Sequence, residues 1–337
     1  MTSSARPSWL GSPTRDYLGS AWRASSIALS DDDGGAPVSR PDVAVLVHET
    51  DAPEAISRTG TAALWIPGFV DSFFHVEHAA AWRAAGIPLV GLDMRRGGRA
   101  LRDPRYRDDV RDLRVRHEEI GKALAVLRGW GARRLILIGH STGGLHAALF
   151  AHDRPGEVDA VILNSPWLDH NGPPLEKNQA TALVKRVGTR LPRLPISMLK
   201  PDYARNLHMD YGGEFAFDPA HKPLDPVPVF AGFFRAVRLA HEEVAAGLAI
   251  REPVLVAHSD ASGSFTKPSA DELASTDVVL NVADMVRLAP KLGAHVDLLE
   301  VPGGRHDLAL SQAPAREFYT RESIAWAVDV AGDTTRY

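Results

Sequence analysis

The sequence predicts an α/β fold: a mostly parallel sheet of eight strands, helices on both faces, and one inserted lid. Three observations predict it. Short β-branched and Leu-rich runs alternate with helix-period segments through most of the 337 residues, as strand–helix–strand crossovers require. The turn Gly139-His140-Ser141-Thr142-Gly143 follows directly on the apolar run Arg134-Leu135-Ile136-Leu137-Ile138, so a strand passes into a helix within a few residues. The alternation fails once, over residues 164–247, where prolines and aromatics crowd and strand signal is missing.

Taken in order, the predicted strands are Ser26 to Leu29, Val43 to His48, Ala62 to Ile66, Pro88 to Leu92, Arg134 to Ile138, Ala160 to Leu163, Pro253 to Ala257 and His295 to Val301. Residues 1–40 form an N-terminal extension that carries the first strand and an acidic turn, Asp31 to Gly35. Residues 41–163 and 248–337 form the core. Between the fourth and fifth strands, Val110, Leu113, His117, Ile120, Leu124 and Leu127 recur at spacings of three and four, which predicts one long helix covering the sheet. Gly144 to Ala151 reads as a small-residue helix able to pack close to the sheet, and Pro314 to Val330 as a closing amphipathic helix. Residues 164–247 hold short helical patches at Ala180 to Leu191 and Phe233 to Leu248 and return directly to a strand. A lid over the strand ends fits this pattern better than a second domain with its own core.

Composition narrows the function. A formal net charge of -4 leaves no basic surplus for neutralising nucleic-acid phosphates. With 0 cysteines, disulfides, thiolate catalysis and Cys-based metal sites are excluded. Met1 to Ala36 has no apolar leader core, and no run is long enough to span a bilayer. A cytoplasmic protein is the expectation. Neither a Gly-x-Gly-x-x-Gly nor a Walker-type loop occurs, so no cofactor is expected. His75-Val76-Glu77-His78 puts two histidines three apart without a third ligand at a familiar spacing, and a solvated helix face is expected there rather than a metal site.

The residues that carry chemistry lie at predicted strand ends. A serine hydroxyl is a weak nucleophile until a base accepts its proton and a third group orients that base. The strained turn lifts Ser141 clear of the sheet as the candidate nucleophile. After the last strand, the loop Val301-Pro302-Gly303-Gly304-Arg305-His306-Asp307 carries the candidate base His306. The acid belongs on the loop after Pro253 to Ala257, where Asp260 and Asp277 both stand. Asp277 is favoured, because the apolar pair Val278-Val279 can hold it rigidly, and Asp260 remains as the alternative. An oxyanion hole needs two backbone N–H groups aimed at one point. Thr142, at a helix N-terminus, and Phe69, in Pro67-Gly68-Phe69-Val70 after the third strand, are the candidate donors.

Together, Pro67-Gly68-Phe69, Asp93-Met94-Arg95-Arg96-Gly97-Gly98-Arg99, Gly139-His140-Ser141-Thr142-Gly143-Gly144, Asn164-Ser165-Pro166-Trp167-Leu168-Asp169, Asp277-Val278-Val279 and Gly304-Arg305-His306 resemble the serine α/β-hydrolases of the monoacylglycerol lipase, lysophospholipase and serine aminopeptidase S33 type. More narrowly, Phe69 to Phe74 and Thr276 to Leu280 resemble a bacterial branch of that group. The resemblance extends over nearly the whole chain after Pro41. It implies the α/β-hydrolase fold, a triad of Ser141, Asp277 and His306, and a structural turn at Arg95 to Arg99. Two departures stand out: Pro67 replaces the His that lipases often carry before the oxyanion glycine, and the acid loop is longer than usual. The implied activity is hydrolysis of a carboxylic ester; the aromatic and aliphatic residues of the predicted lid, which would line a mostly apolar pocket over Ser141, add the expectation of a small ester with an apolar acyl group. Acyl transfer or amide and peptide cleavage by the same triad is the alternative, and a non-catalytic binding protein on this scaffold is a further one.

Overall fold

The computed structural model describes residues 6–30, 41–171 and 185–332. In chain order the strands are β1 (Thr14–Asp16), β2 (Gly19–Ala28), β3 (Val43–Glu49), β4 (Thr61–Ile66), β5 (Leu89–Asp93), β6 (Arg134–His140), β7 (Ala160–Asn164), β8 (Pro195–Leu199), β9 (Val227–Phe230), β10 (Val254–Ser259) and β11 (Val296–Val301). Nine of them form one sheet in the order β1-β2-β3-β5-β4-β6-β7-β10-β11, and β8 pairs with β9 in a separate ribbon. From β5 to β11 every pairing is parallel. β3 runs antiparallel to β2 and β5, and β1 antiparallel to β2.

The central strands are apolar throughout because both faces are covered, and their side chains sort by parity as a pleated strand demands. Ala62, Leu64, Ile66, Leu135, Leu137, Val161 and Leu163 join one core cluster. Their neighbours Ala63, Trp65, Ile136, Ile138, Ala160 and Ile162 join the other. Helices α1 (Ala52–Thr59), α3 (Arg116–Gly129) and α4 (Thr142–Asp153) cover the first face through Ile56, Ile120, Leu124, Leu145 and Leu149. Helix α2 (Val76–Ala84) and the C-terminal helix Ala313–Gly332 cover the second through Trp82 and Tyr319.

Four expectations are corrected. The sheet has nine strands rather than eight, because the N-terminal extension adds β1, and the first predicted strand belongs to a ten-residue strand, Gly19–Ala28. The long helix starts at Arg116, not near Val110: Leu113–Val115 is a 3-10 turn whose entry Asp112 caps by accepting from the Arg114 N–H. The lid is not free of strands. Its ribbon contains Pro195 and Pro228, which a two-stranded ribbon tolerates because each strand has an unpaired edge. Finally, His75 and His78 are buried rather than solvated, since α2 packs between the sheet and the C-terminal helix. The predicted Asp31 to Gly35 turn and the start of the Ala180 to Leu191 patch lie outside the described residues.

The later lid helix, Ala231–Ala246, sends Phe233, Ala236, Val237, Ala240 and Val244 into the same cluster as the sheet. Because the strands from β5 to β11 are parallel, their C-terminal ends lie along one edge, and the loops after β4, β6, β7, β10 and β11 gather there.

Candidate active site

The tightest feature at that edge is the β6–α4 turn. Ser141 has φ 54 and ψ -118, a region that non-glycine residues avoid. The surrounding glycines explain how the chain reaches it. A Cβ at Gly139 would overlap the Gly143 carbonyl, and one at Gly143 would overlap the carbonyls of Ile66 and Pro67 at the end of β4. The turn is held as well as cramped. The Ser141 N–H donates to the Asn164 carbonyl at 3.0 Å, and its own carbonyl accepts from Gly144, Leu145 and Trp167.

The structure brings His306 and Asp277 together. His306 Nδ1 lies 2.9 Å from Asp277 Oδ2, and the other carboxylate oxygen of Asp277 accepts from the N–H groups of Val279 and Leu280, each at 2.8 Å. Asp277 is wholly buried. The long loop after β10 delivers it by folding back on itself: the Asp277 N–H donates to Ala261, and its carbonyl accepts from Gly263. Asp260, exposed, caps the next loop instead, accepting from the Gly303 N–H at 3.0 Å. With its Nδ1 proton directed to Asp277, His306 has Nε2 free to accept.

The loop after β4 is fixed from outside. Val70 has φ 58, a costly conformation for a β-branched residue, and its N–H donates to Asp108 Oδ2 at 2.9 Å. Asp108 is in turn held by Arg116 at 2.9 Å. The preceding N–H, that of Phe69, and the Thr142 N–H both lack an acceptor among the described residues. Arg95, Arg96 and Arg99 are structural, as expected: Arg95 pairs with Glu118 and Glu119, Arg96 with Asp42, and Arg99 with Asp16 and Asp93.

Beneath this edge lies a buried polar network that the sequence reading missed. Asp307, next to His306, accepts from His75 Nε2 at 2.8 Å and from Asn164 Nδ2 at 2.8 Å, while Asn164 Oδ1 accepts from the Leu308 N–H. Burial alone would raise the Asp307 carboxyl; His140, His75 and the Asn164 amide outweigh it and hold it well below the usual carboxylate range. His140 packs its ring 4.8 Å from that of His306, and burial lowers its pKa to about 4. Asp71, His140 and Asp307 bring ligand atoms within 4.8 Å of one another, and the Lys222 ammonium, 2.7 Å from Asp71, supplies the cation there. His78 is also committed, meeting Thr320 Oγ1 at 3.0 Å and accepting from Trp82 Nε1. Apart from the His78–Trp82 pair within α2, these contacts join segments far apart in sequence, so periodicity gave no signal for them.

Ser141, His306, Phe69 and Thr142 all line one cavity of about 930 Å³. Its outer wall comes from the lid and is largely apolar, with Leu194, Ile196, Met198, Val229, Phe233 and Phe234 prominent. Phe69 stacks on Phe233 at 4.5 Å. None of the described helices is long and apolar enough to cross a membrane.

Comparison with known proteins agrees with this architecture. Residues 62–312 match the family described as serine aminopeptidase, S33. No curated protein matches the sequence. Among solved structures, the monoacylglycerol lipase of Paleococcus ferrophilus is 18% identical with a TM-score of 0.57, over 80% of this chain and 94% of that one. A soluble variant of the monoglyceride lipase of Saccharomyces cerevisiae is 14% identical with a TM-score of 0.58, over 94% and 96%. Est1E of Butyrivibrio proteoclasticus is 15% identical with a TM-score of 0.52, over 91% and 99%. At these identities the likeness is one of fold.

Proposed function

Because the chain belongs to the serine aminopeptidase S33 family and has the α/β-hydrolase fold, we propose that it is a serine hydrolase that cleaves carboxylic esters through an acyl-enzyme on Ser141. Ser141 Oγ attacks the ester carbonyl as His306 Nε2 takes its proton. Asp277 keeps the imidazole in the useful tautomer and stabilises the imidazolium. The N–H groups of Phe69 and Thr142 receive the oxyanion. His306 returns the proton to the departing alcohol, and water activated by the same histidine releases the acid.

The observation that carries this reading is the His306–Asp277 contact of 2.9 Å, at a cavity that Ser141 also lines. Ser141→Ala is expected to stay folded and lose on the order of a million-fold in turnover, as triad removal does. The measurement is hydrolysis of a short aryl ester together with fluorophosphonate labelling. Retention of more than about a tenth of the activity would show that Ser141 is not the nucleophile.

The apolar lid wall supports an acyl chain as the group bound there. Each methylene buried is worth about 0.8 kcal/mol, so kcat/KM is expected to rise from acetyl to medium-chain esters until the cavity is filled. A profile that peaks at acetyl, or a preference for amino-acid amides, would defeat the apolar-acyl reading and leave the triad standing.

A further inference from the structure

We infer that the Tyr203 hydroxyl donates a hydrogen bond to the leaving-group oxygen of the ester, a role that rests on the serine-hydrolase reading above. Tyr203 stands in the short lid helix Asp202–Leu207, and its ring meets that of His306 edge-on, centroids 5.8 Å apart and planes at 75°. Its oxygen accepts from the Asp307 N–H at 2.8 Å. That bond fixes the phenol oxygen one residue from His306.

A phenol both accepts and donates. Acceptance from Asp307 leaves the Tyr203 proton uncommitted, and no acceptor for it exists among the described residues. Tyr203, Ser141 and His306 line the same cavity. Burial chiefly, and the Asp307 carboxylate next, push the phenol well above its usual range, so it stays protonated.

Position decides which substrate atom it meets. The oxyanion turns toward the N–H groups of Phe69 and Thr142, whereas the leaving oxygen must come within reach of the proton on His306. Tyr203 packs against His306, so it shares the leaving-group side. In acylation the Ser141 Oγ–carbonyl carbon bond forms and the carbon–leaving oxygen bond breaks. The electron pair of that bond goes to the leaving oxygen, and so does the proton carried by His306. Tyr203 keeps its own proton and stabilises the charge that develops meanwhile. An alkoxide, whose charge is localised, gains more from such a donor than a nitrophenolate, whose charge is spread over the ring.

The test compares Tyr203→Phe with the unmodified chain on two octanoate esters, one ethyl and one p-nitrophenyl, with active sites titrated by a fluorophosphonate. Both constants come from one titrated preparation, so their ratio does not depend on the folded fraction. The expected result is a loss in kcat/KM of about tenfold to a hundredfold on the ethyl ester, as the loss of one hydrogen bond to a charged group gives, and less than about threefold on the aryl ester and in the labelling rate of Ser141. Equal losses on both esters would overturn the inference in favour of a purely structural hold on Asp307. No loss on either would overturn it outright. Failure of the unmodified chain to label at Ser141 would instead overturn the serine-hydrolase reading, and this inference with it.

Discussion

At the scale of single residues, Asp277 and Asp260 differ in how firmly each carboxylate is held, and the proposed role of Asp277 in orienting His306 turns on that difference. Asp277 is buried, uses one oxygen on two backbone N–H groups, and so presents the other to His306 in a fixed direction. Asp260 is exposed, and its bond serves the Gly303 turn. Asp277→Asn is therefore expected to lose about four orders of magnitude in turnover, because an amide favours the wrong imidazole tautomer. Asp260→Asn is expected to lose less than about tenfold, its effect passing only through the loop. Steady-state kinetics on one ester settles the pair, and a larger loss at Asp260 would reverse the roles. From sequence Asp277 is favoured because the apolar pair Val278-Val279 can hold it rigidly, and in the structure the N–H groups of Val279 and Leu280 fix its carboxylate. His75 was misread: its partner Asp307 lies 232 residues away, and local spacing carries no information about such a contact.

At the scale of elements, the β6–α4 turn and the loop after β4 act as one unit. The absence of side chains at Gly139 and Gly143 lets α4 start against the carbonyls of Ile66 and Pro67, one of which belongs to the residue before Gly68-Phe69. Gly143→Ala forces that loop aside. It is expected to cost about 1–3 kcal/mol through overpacking and also to lower kcat, since the Phe69 N–H moves with the loop. Gly121→Ala is the control. It lies within α3, a Cβ there meets open space, and the helix is expected to gain about 0.5–1 kcal/mol without change in kcat. Chemical denaturation and kinetics on the two variants check both halves, and a Gly143→Ala enzyme with normal kcat would uncouple the turn from the oxyanion loop. The elbow was legible because its apolar strand, its glycines and its helix follow one another within a few residues, although the space Gly143 leaves is filled by the distant carbonyls of Ile66 and Pro67. The β8–β9 ribbon was not, since Pro195 and Pro228 break its short strands and β8 is largely exposed, so neither reads as a strand.

At the scale of the whole molecule, the buried histidines make stability depend on pH. Burial is the leading cause in each case: it lowers His78 to about 3, His140 to about 4 and His241 to about 3, and takes His146 well below its ordinary value. His241 shows the geometry behind this. Its Nδ1 accepts from Arg238 at 3.0 Å and its Nε2 meets the Trp167 carbonyl at 2.9 Å, so a second ring proton would point at a guanidinium. Below about pH 6.5 the unfolded chain takes up protons on these rings that the folded chain refuses. The unfolded state then binds more protons, and stability falls as the pH is lowered. Each such histidine contributes about 1.4 kcal/mol per pH unit between its unfolded and folded values. Asp108 and Glu119, which burial pushes upward against the pull of Arg116 and Arg95, offset part of that loss. A substitution at one histidine separates the two effects. The urea midpoint of the unmodified chain is expected to fall between pH 7 and pH 5, and His241→Gln is expected to fall less steeply by the share of one histidine. Identical slopes for the two proteins would mean that His241 titrates normally in the folded state and that the contacts with Arg238 and Trp167 do not hold it neutral.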